Sequence, residues 1–186
     1  MDISAFKSKL SGAGARPNQF EVVINYPSNI GQLAAEAGRF LITTAELPGQ
    51  TMGVTPVYYR GRLIKLAGDK EFAPFSCSVI NDSNFTVRNA LEGWMNYIEN
   101  RLSKTGIDDP SLYQRPIDIY QLDRNGAQLR KYILDGAFPV EIGPVQLDFG
   151  SNDQISTFGV SFQYQTFDID GTPASKVIES LFSPNQ

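Results

Sequence analysis

The chain contains no histidine in 186 residues. The commonest general base and metal ligand is therefore missing, which excludes Ser-His-Asp, Cys-His and His-Glu-x-x-His sites. A single cysteine, Cys77, excludes an internal disulfide framework and a structural zinc site. It also argues for a reducing compartment, and its apolar neighbours mark it as an inert core residue. No apolar run approaches the ~18 residues that span a bilayer. The start, MDISAFKSKLSGAGARP, lacks the apolar core of a signal peptide. No Gly-x-x-x-x-Gly-Lys-Ser/Thr loop occurs. SGAGARP matches a dinucleotide loop poorly, because no strand precedes it and Pro17 follows; it reads as a hinge. Neither a cofactor nor a metal is expected. There are no internal repeats and no low-complexity segments.

Two acidic pairs are the only material for acid–base or cation chemistry. Asp108-Asp109 precede Pro110, and Asp168 and Asp170 flank Ile169 at a strand end. Both fit turn residues and solvated charge better than a catalytic dyad. An enzyme is disfavoured.

What is present is a β-rich pattern. QFEVVINY puts Phe20, Val22, Ile24 and Tyr26 on one face of a strand. PSNIGQLAAEAG reads as a small-residue connection, and RFLITTAEL as a second strand. VYYRGRLIKL and EFAPFSCSVI read as strands joined by a turn at AGDK, where Gly68 can take positive φ. RPIDIYQLDRNGAQLRKYIL signals a hairpin around Asn125-Gly126, the type I′ pair. DGAFPVEIGPVQLDFGSNDQ is turn-rich. ISTFGVSFQYQTFDI is a long last strand. One helix is convincing, over about 84–104. Asp82, Ser83 or Asn84 caps it, and Leu91, Trp94, Met95, Ile98 and Leu102 share the face that packs on a sheet. Residues 2–10 suit a short amphipathic helix, and the tail TPASKVIESLF a terminal one. The sum is a mostly β (α+β) fold of antiparallel sheets in a sandwich or barrel-like domain with one flanking helix. We read 1–186 as a single domain, with an N-terminal arm over about 1–18 and a C-terminal tail over about 171–186.

Charge is unevenly spread. The net charge is -4. Residues 1–72 carry eight Lys and Arg against six Asp and Glu, net +2, and residues 73–186 carry eight against fourteen, net -6. From Asp135 to Asp170 there are six acidic residues and no Lys or Arg. Surfaces of opposite sign on one chain suit head-to-tail association of identical copies. The ribbon VYYRGRLIKLAGDKEF concentrates Arg60, Arg62, Lys65 and Lys70, opposed only by Asp69 and Glu71. Its tyrosines give it the look of a nucleic-acid patch, but a chain with a pI near 4.8 is a poor duplex binder. In the last strand Phe158, Val160, Phe162 and Tyr164 share one face. Thr157, Gly159, Ser161, Gln163 and Gln165 share the other, which is polar, small and uncharged. Such a face suits a channel wall or a subunit seam; a plain solvent face is the alternative.

ARPNQFEVVI, LPG, PVYYRGRLIKLAGDKEF, VINDSN and GPVQLDFGSNDQISTFGVSFQYQTFDI occur in this order. Together they resemble the tail tube protein family of contractile-tailed bacteriophages, over roughly residues 15–169. The stretch around 28–37 and the tail beyond about 170 look like additions to a shorter family core. The resemblance implies antiparallel sheets with a flanking helix. It implies six copies in a ring, their sheets joined into one large barrel around a lumen, and rings stacked into a rigid tube inside a contractile sheath. Implied partners are further copies of the chain, the sheath protein, a baseplate tube initiator and a tail terminator. DNA would pass through the lumen without specific binding. The location would be the virion tail tube, assembled in the bacterial host cytoplasm. The resemblance makes Arg60, Arg62, Lys65, Asp69 and Lys70 inter-subunit candidates, meeting acidic groups of neighbouring copies, with the 135–170 region as their source. It makes Thr157, Ser161, Gln163 and Gln165 lumen candidates, and sets Trp94 and Ile98 against the sheet. A tube-initiating baseplate protein and the tube of a phage-derived contractile injection system are alternatives within the fold. A soluble ligand-binding β-domain, with a cleft near Asp108-Asp109, is the alternative from another class.

Overall fold

A computed structural model describes residues 2–3, 15–27, 30–100 and 105–170. The expected helices at 2–10 and beyond 170 lie outside these residues, apart from Asp2 and Ile3. The first strand, β1 (Phe20–Ile24), follows its alternation, with Val22 and Ile24 buried. The connection after it is a helix, α1 (Gln32–Leu41). Its alanines favour helix, and its small inward residues allow close approach. Gly31, at its N-terminus, has φ +80, and a Cβ there would sit 3.0 Å from the Tyr26 ring and 3.1 Å from the Ala90 methyl. Only glycine tolerates both the backbone angle and the crowding. An Arg39–Glu21 ion pair ties α1 to β1. The helix stops when Ile42 turns extended (φ -79, ψ 114) and begins β2 (Ile42–Ala45). The first three of the nine residues in the expected strand at 39–47 are thus helix.

A long hairpin follows, β3 (Gln50–Tyr59) and β4 (Arg62–Phe72). Its turn is at Arg60-Gly61, both at positive φ (46° and 78°), the signature of a type I′ turn. The expected turn at AGDK is instead inside β4. There the register slips between Met52 and Val54, and Gly68 faces Gly53 so closely that a Cβ on Gly68 would meet Gly53 backbone at 3.1 Å. The hairpin carries a bulge there.

Strand β5 (Phe75–Ile80) leads to helix α2 (Thr86–Ile98). The Asp82 carboxylate accepts from the Thr86 amide (2.8 Å) and hydroxyl (2.6 Å) and so caps the helix. Val87, Ala90, Leu91 and Trp94 form the buried stripe. The helix ends at Ile98 rather than near 104, and β6 (Glu99–Asn100) pairs with β7 (Thr105–Gly106). A short helix, α3 (Pro110–Tyr113), is capped by Asp109, whose carboxylate accepts from the Ser111 amide at 2.9 Å.

The hairpin of β8 (Arg115–Leu122) and β9 (Gln128–Ile142) turns at Gly126 (φ 77), but Asn125 is not at positive φ. Asp123 accepts from Gly126 and donates to Ala127. The loop is therefore longer than a two-residue type I′ turn. The strand β9 also runs through the expected turn-rich start DGAFPVEI. The last strand is broken at Tyr164-Gln165 into β10 (Thr157–Gln163) and β11 (Thr166–Asp170).

The main sheet runs β1-β8-β9-β10-β5-β2, with β11 also on β9. Its long strand β9 serves two layers. Its first part pairs with β8 and β11, and Phe138 to Ile142 pairs with β10. Helices α1 and α2 cover the inner face, and the core lies between. Trp94 is 0 % exposed, its ring 5.6 Å from Tyr26 and 6.3 Å from Phe162, and its indole N–H donates to the Tyr113 carbonyl at 2.9 Å. Ile98 packs half-buried at the margin of this core.

Candidate functional site: a polar wall, an arm and a loop

The face of the β2-β5-β10-β9 layer away from the helices is the first candidate surface. Phe158, Val160 and Phe162 are buried against the helices. The alternate residues point the other way: Thr157 is exposed, and Ser161 and Gln163 are half-buried. Cross-strand register puts Ile80, Ser78 and Ser76 beside Thr157, Gly159 and Ser161. The Ser76 and Ser161 hydroxyls lie 3.2 Å apart and share a hydrogen bond. A shallow groove on this face is lined by Thr44, Glu46, Ser76, Ser78, Glu141 and Ser161. Its only charges are Glu46 and Glu141, both acidic. Gln165 does not share the wall. It sits past the end of β10, at the corner where its amide donates to the Asp135 carbonyl and its side chain covers Gly136.

Two edges of this layer carry no strand partner among the described residues. One is the outer edge of β2. The other is Phe138 to Ile142 of β9, on the side away from β10.

The second surface is the β3–β4 arm. All of β3 and nearly all of β4 are exposed. At ~3.3 Å per residue the arm is roughly 30 Å long. At its base Phe72 packs on Tyr164 (5.9 Å) and Phe167 (5.5 Å). Register divides the arm into two faces. Val57, Tyr59, Arg62, Ile64 and Leu66 lie on one, and Val54, Pro56, Tyr58, Leu63 and Lys65 on the other. Both faces are mainly apolar and exposed. Arg60 is at the tip, its guanidinium 5.4 Å from the Tyr59 ring centre. Asp69 and Lys70 are near the base, with the Lys70 ammonium 5.9 Å from the Phe72 ring centre. The cations stand out in the sequence, whereas the apolar surface they punctuate was missed. Its signal is in QTMGVTPVYY, an alternating strand that runs into the ribbon.

The third surface is the loop between β9 and β10, residues 143–156. Leu147 (91 % exposed), Phe149 (107 %) and Ile155 (72 %) point into solvent beside Asp148 and Asp153. Asp148 braces the loop by accepting from the Gly150 amide at 2.9 Å.

The acidic pairs take structural places. Asp109 is spent on capping α3, and its hydrogen bonds from Ser111 hold its carboxyl below the usual range. Asp168 pairs with Ile133 in the sheet and lies near Asp135. Burial, then the charges of Asp168 and Asp118, push the Asp135 carboxyl up. Burial pushes the Cys77 thiol up to about 12, which leaves it unreactive at neutral pH. Among the described residues no cluster of His, Cys, Asp and Glu is placed to hold a metal ion.

The fold is shared with chains of contractile injection systems. A chain in the cryo-EM structure of an extracellular contractile injection system, the PVC sheath–tube complex in its extended state, is 14% identical with TM-score 0.59, covering 92% of this chain and 99% of that one. A chain of the anti-feeding prophage cap, the tube-terminating cap, is 16% identical with TM-score 0.64, covering 86% and 92%. Sequence similarity goes further. The tail tube protein gp19 of Enterobacteria phage T4 is 30% identical over 152 residues, 81% of this chain and 89% of its own length. The tail tube protein of Serratia phage KSP90 is 27% identical over 169 residues, 87% and 93%. The family model for the phage tail tube protein matches residues 15–170. The chain belongs to the phage tail tube protein family and is a structural tail tube subunit.

Proposed function

We propose that this subunit closes into six-membered rings that stack into the inner tube of a contractile tail, with the β2-β5-β10-β9 face lining the lumen. The observation that carries this reading is one sheet layer that combines a polar groove, whose charged lining residues are the acidic Glu46 and Glu141, with two strand edges lacking partners among the described residues. An unpaired edge invites another strand. Pairing the β2 edge of one copy with the Phe138 to Ile142 edge of its neighbour extends the layer, and ring closure leaves no edge over. Helices α1 and α2 then lie outside, toward a sheath. The wall inside carries Thr157, Ser161 and Gln163, with Glu46 and Glu141 as its charges. A neutral-to-acidic wall repels phosphates, so DNA slides rather than sticks. The β3–β4 arm, with Arg60, Arg62, Lys65, Asp69 and Lys70, reaches from one ring toward the next. Baseplate initiator and tail terminator would cap the two ends of such a tube, and assembly would occur in the host cytoplasm.

Negative-stain microscopy of the purified protein tests the reading. Rings or tubes with six-fold end views are expected. A strictly monomeric protein at high concentration, with or without a tube nucleus, would overturn it.

A further inference from the structure

The arm and the 143–156 loop leave the body at opposite ends of the same layer. Register places Phe75 beside Phe162 at one end and Ile80 beside Thr157 at the other. Phe75 follows the arm by two residues, Ala73 and Pro74. Thr157 follows directly on the loop. The two ends are separated by the length of β5, about 17 Å. One end therefore presents a long apolar ribbon with arginines at its tip. The other presents exposed apolar side chains beside two aspartates. Both surfaces are of a kind that isolated soluble proteins rarely leave in water. A two-stranded ribbon without a packed face is also marginal by itself.

We infer that the arm of one copy docks on the 143–156 loop of a copy in the adjacent ring, Tyr59 and Ile64 covering Leu147 and Phe149, with Arg60 and Arg62 facing Asp148 and Asp153. This rests on the tube reading above and names the receiving surface. The occupant is a second copy of this chain because the two surfaces complement each other in charge and in apolar character. They also leave the body at opposite ends of β5 and β10, as a head-to-tail contact requires. Such a contact does not close on itself, so it propagates along an axis. The arm is apolar on both faces, so one face on the loop leaves the other to be covered by an adjoining copy of the same ring. The arginines set register and orientation, and the apolar contact holds the arm in place.

The test uses two single-site variants that spare the apolar contacts, Thr55→Cys on the arm and Ser151→Cys in the loop. Native Cys77 is buried and does not compete. Each variant is checked for folding by circular dichroism, the two are co-assembled, and a short bismaleimide is added. Arm-to-loop dimers are expected at ten or more times the yield from either variant assembled alone. Normal tubes in which such dimers stay at background would overturn the pairing while leaving the tube reading intact. Failure of the wild-type chain to assemble at all would count against the tube reading itself, and the pairing would fall with it. A second arm uses charge. R60E/R62E and D148K/D153K should each block stacking, and the four substitutions combined in one chain should restore it. No restoration, with the combined variant folded, contradicts the assigned partners.

Discussion

Replacing Trp94 with alanine tests how α2 is held to the sheet. Trp94 is the only tryptophan, is fully buried, and touches both Tyr26 on the β1 side and Phe162 in β10. Removing a buried indole costs ~3–5 kcal/mol through lost transfer energy and the cavity left behind. The indole N–H is also the donor to the Tyr113 carbonyl, and losing it adds about 1 kcal/mol. The sum, roughly 4–6 kcal/mol, is a large part of the ~5–15 kcal/mol that holds a typical domain. For a chain of this size each kcal/mol moves Tm by ~2–4 °C, so a fall of roughly 8–24 °C is expected. The assay is urea unfolding followed by far-UV circular dichroism, at a concentration where the protein is monomeric, since the fluorescent reporter is itself removed. Trp94→Phe keeps a ring and loses the donor, and should cost only ~1–2 kcal/mol. If Trp94→Ala costs less than about 1 kcal/mol, the helix is not anchored through this residue and the reasoning fails.

Other expectations concern assembly and pH. R60E/R62E alone should leave Tm within about 2 °C of wild type, as exposed substitutions usually do, yet raise the concentration needed for polymerisation by about tenfold or more; normal tubes in electron micrographs would refute this. Ser161→Lys with Gln163→Lys should permit tube formation but make the tubes retain DNA, on the order of tenfold more at low salt than at high salt; retention unchanged from wild type would remove these residues from the lumen wall. Asp135 has its carboxyl pushed up in the fold, so the folded state holds that proton more tightly than the unfolded chain. Its contribution therefore favours folding at low pH and turns unfavourable as pH rises past the unfolded value near ~3.9 and through the raised one. Asp135→Asn should raise Tm at pH 7, with the gain vanishing below about pH 4; a loss of Tm at pH 7 would contradict this.

Regular alternation and caps were legible in the sequence. The strand of Val22 and Ile24, the stripe of Leu91 and Trp94, and the capping carboxylate of Asp82 each follow from local rules. Elsewhere local preference was overruled. RFLITTAEL has the β-branched and aromatic residues of a strand, yet α1 continues to Leu41 because the small residues before it pack against its neighbours. The arm turns at Arg60-Gly61, where arginine takes a backbone angle usually left to Asn or Asp. The Asn125-Gly126 pair, the stronger turn signal, adopts a longer loop. The strand β9 extends through Gly136 and Pro139 because its two halves pair with different partners, which single-strand patterning does not reveal. The polar wall could be read from alternation in β10. Gln165 could not be separated from it, because the strand's own alternation does not mark the break at Tyr164-Gln165, where Gln165 packs over Gly136 of β9. The loop's Leu147, Phe149 and Ile155 were silent, because apolar residues default to the core and only the fold shows them outside.

Cryo-electron microscopy of the assembled tube tests the central claim most directly. Six copies per ring are expected, with β2 of each copy paired with residues 138–142 of its neighbour and Thr157, Ser161 and Gln163 facing the lumen. A tube with α1 and α2 facing inward, or rings joined without β2 pairing, would contradict it.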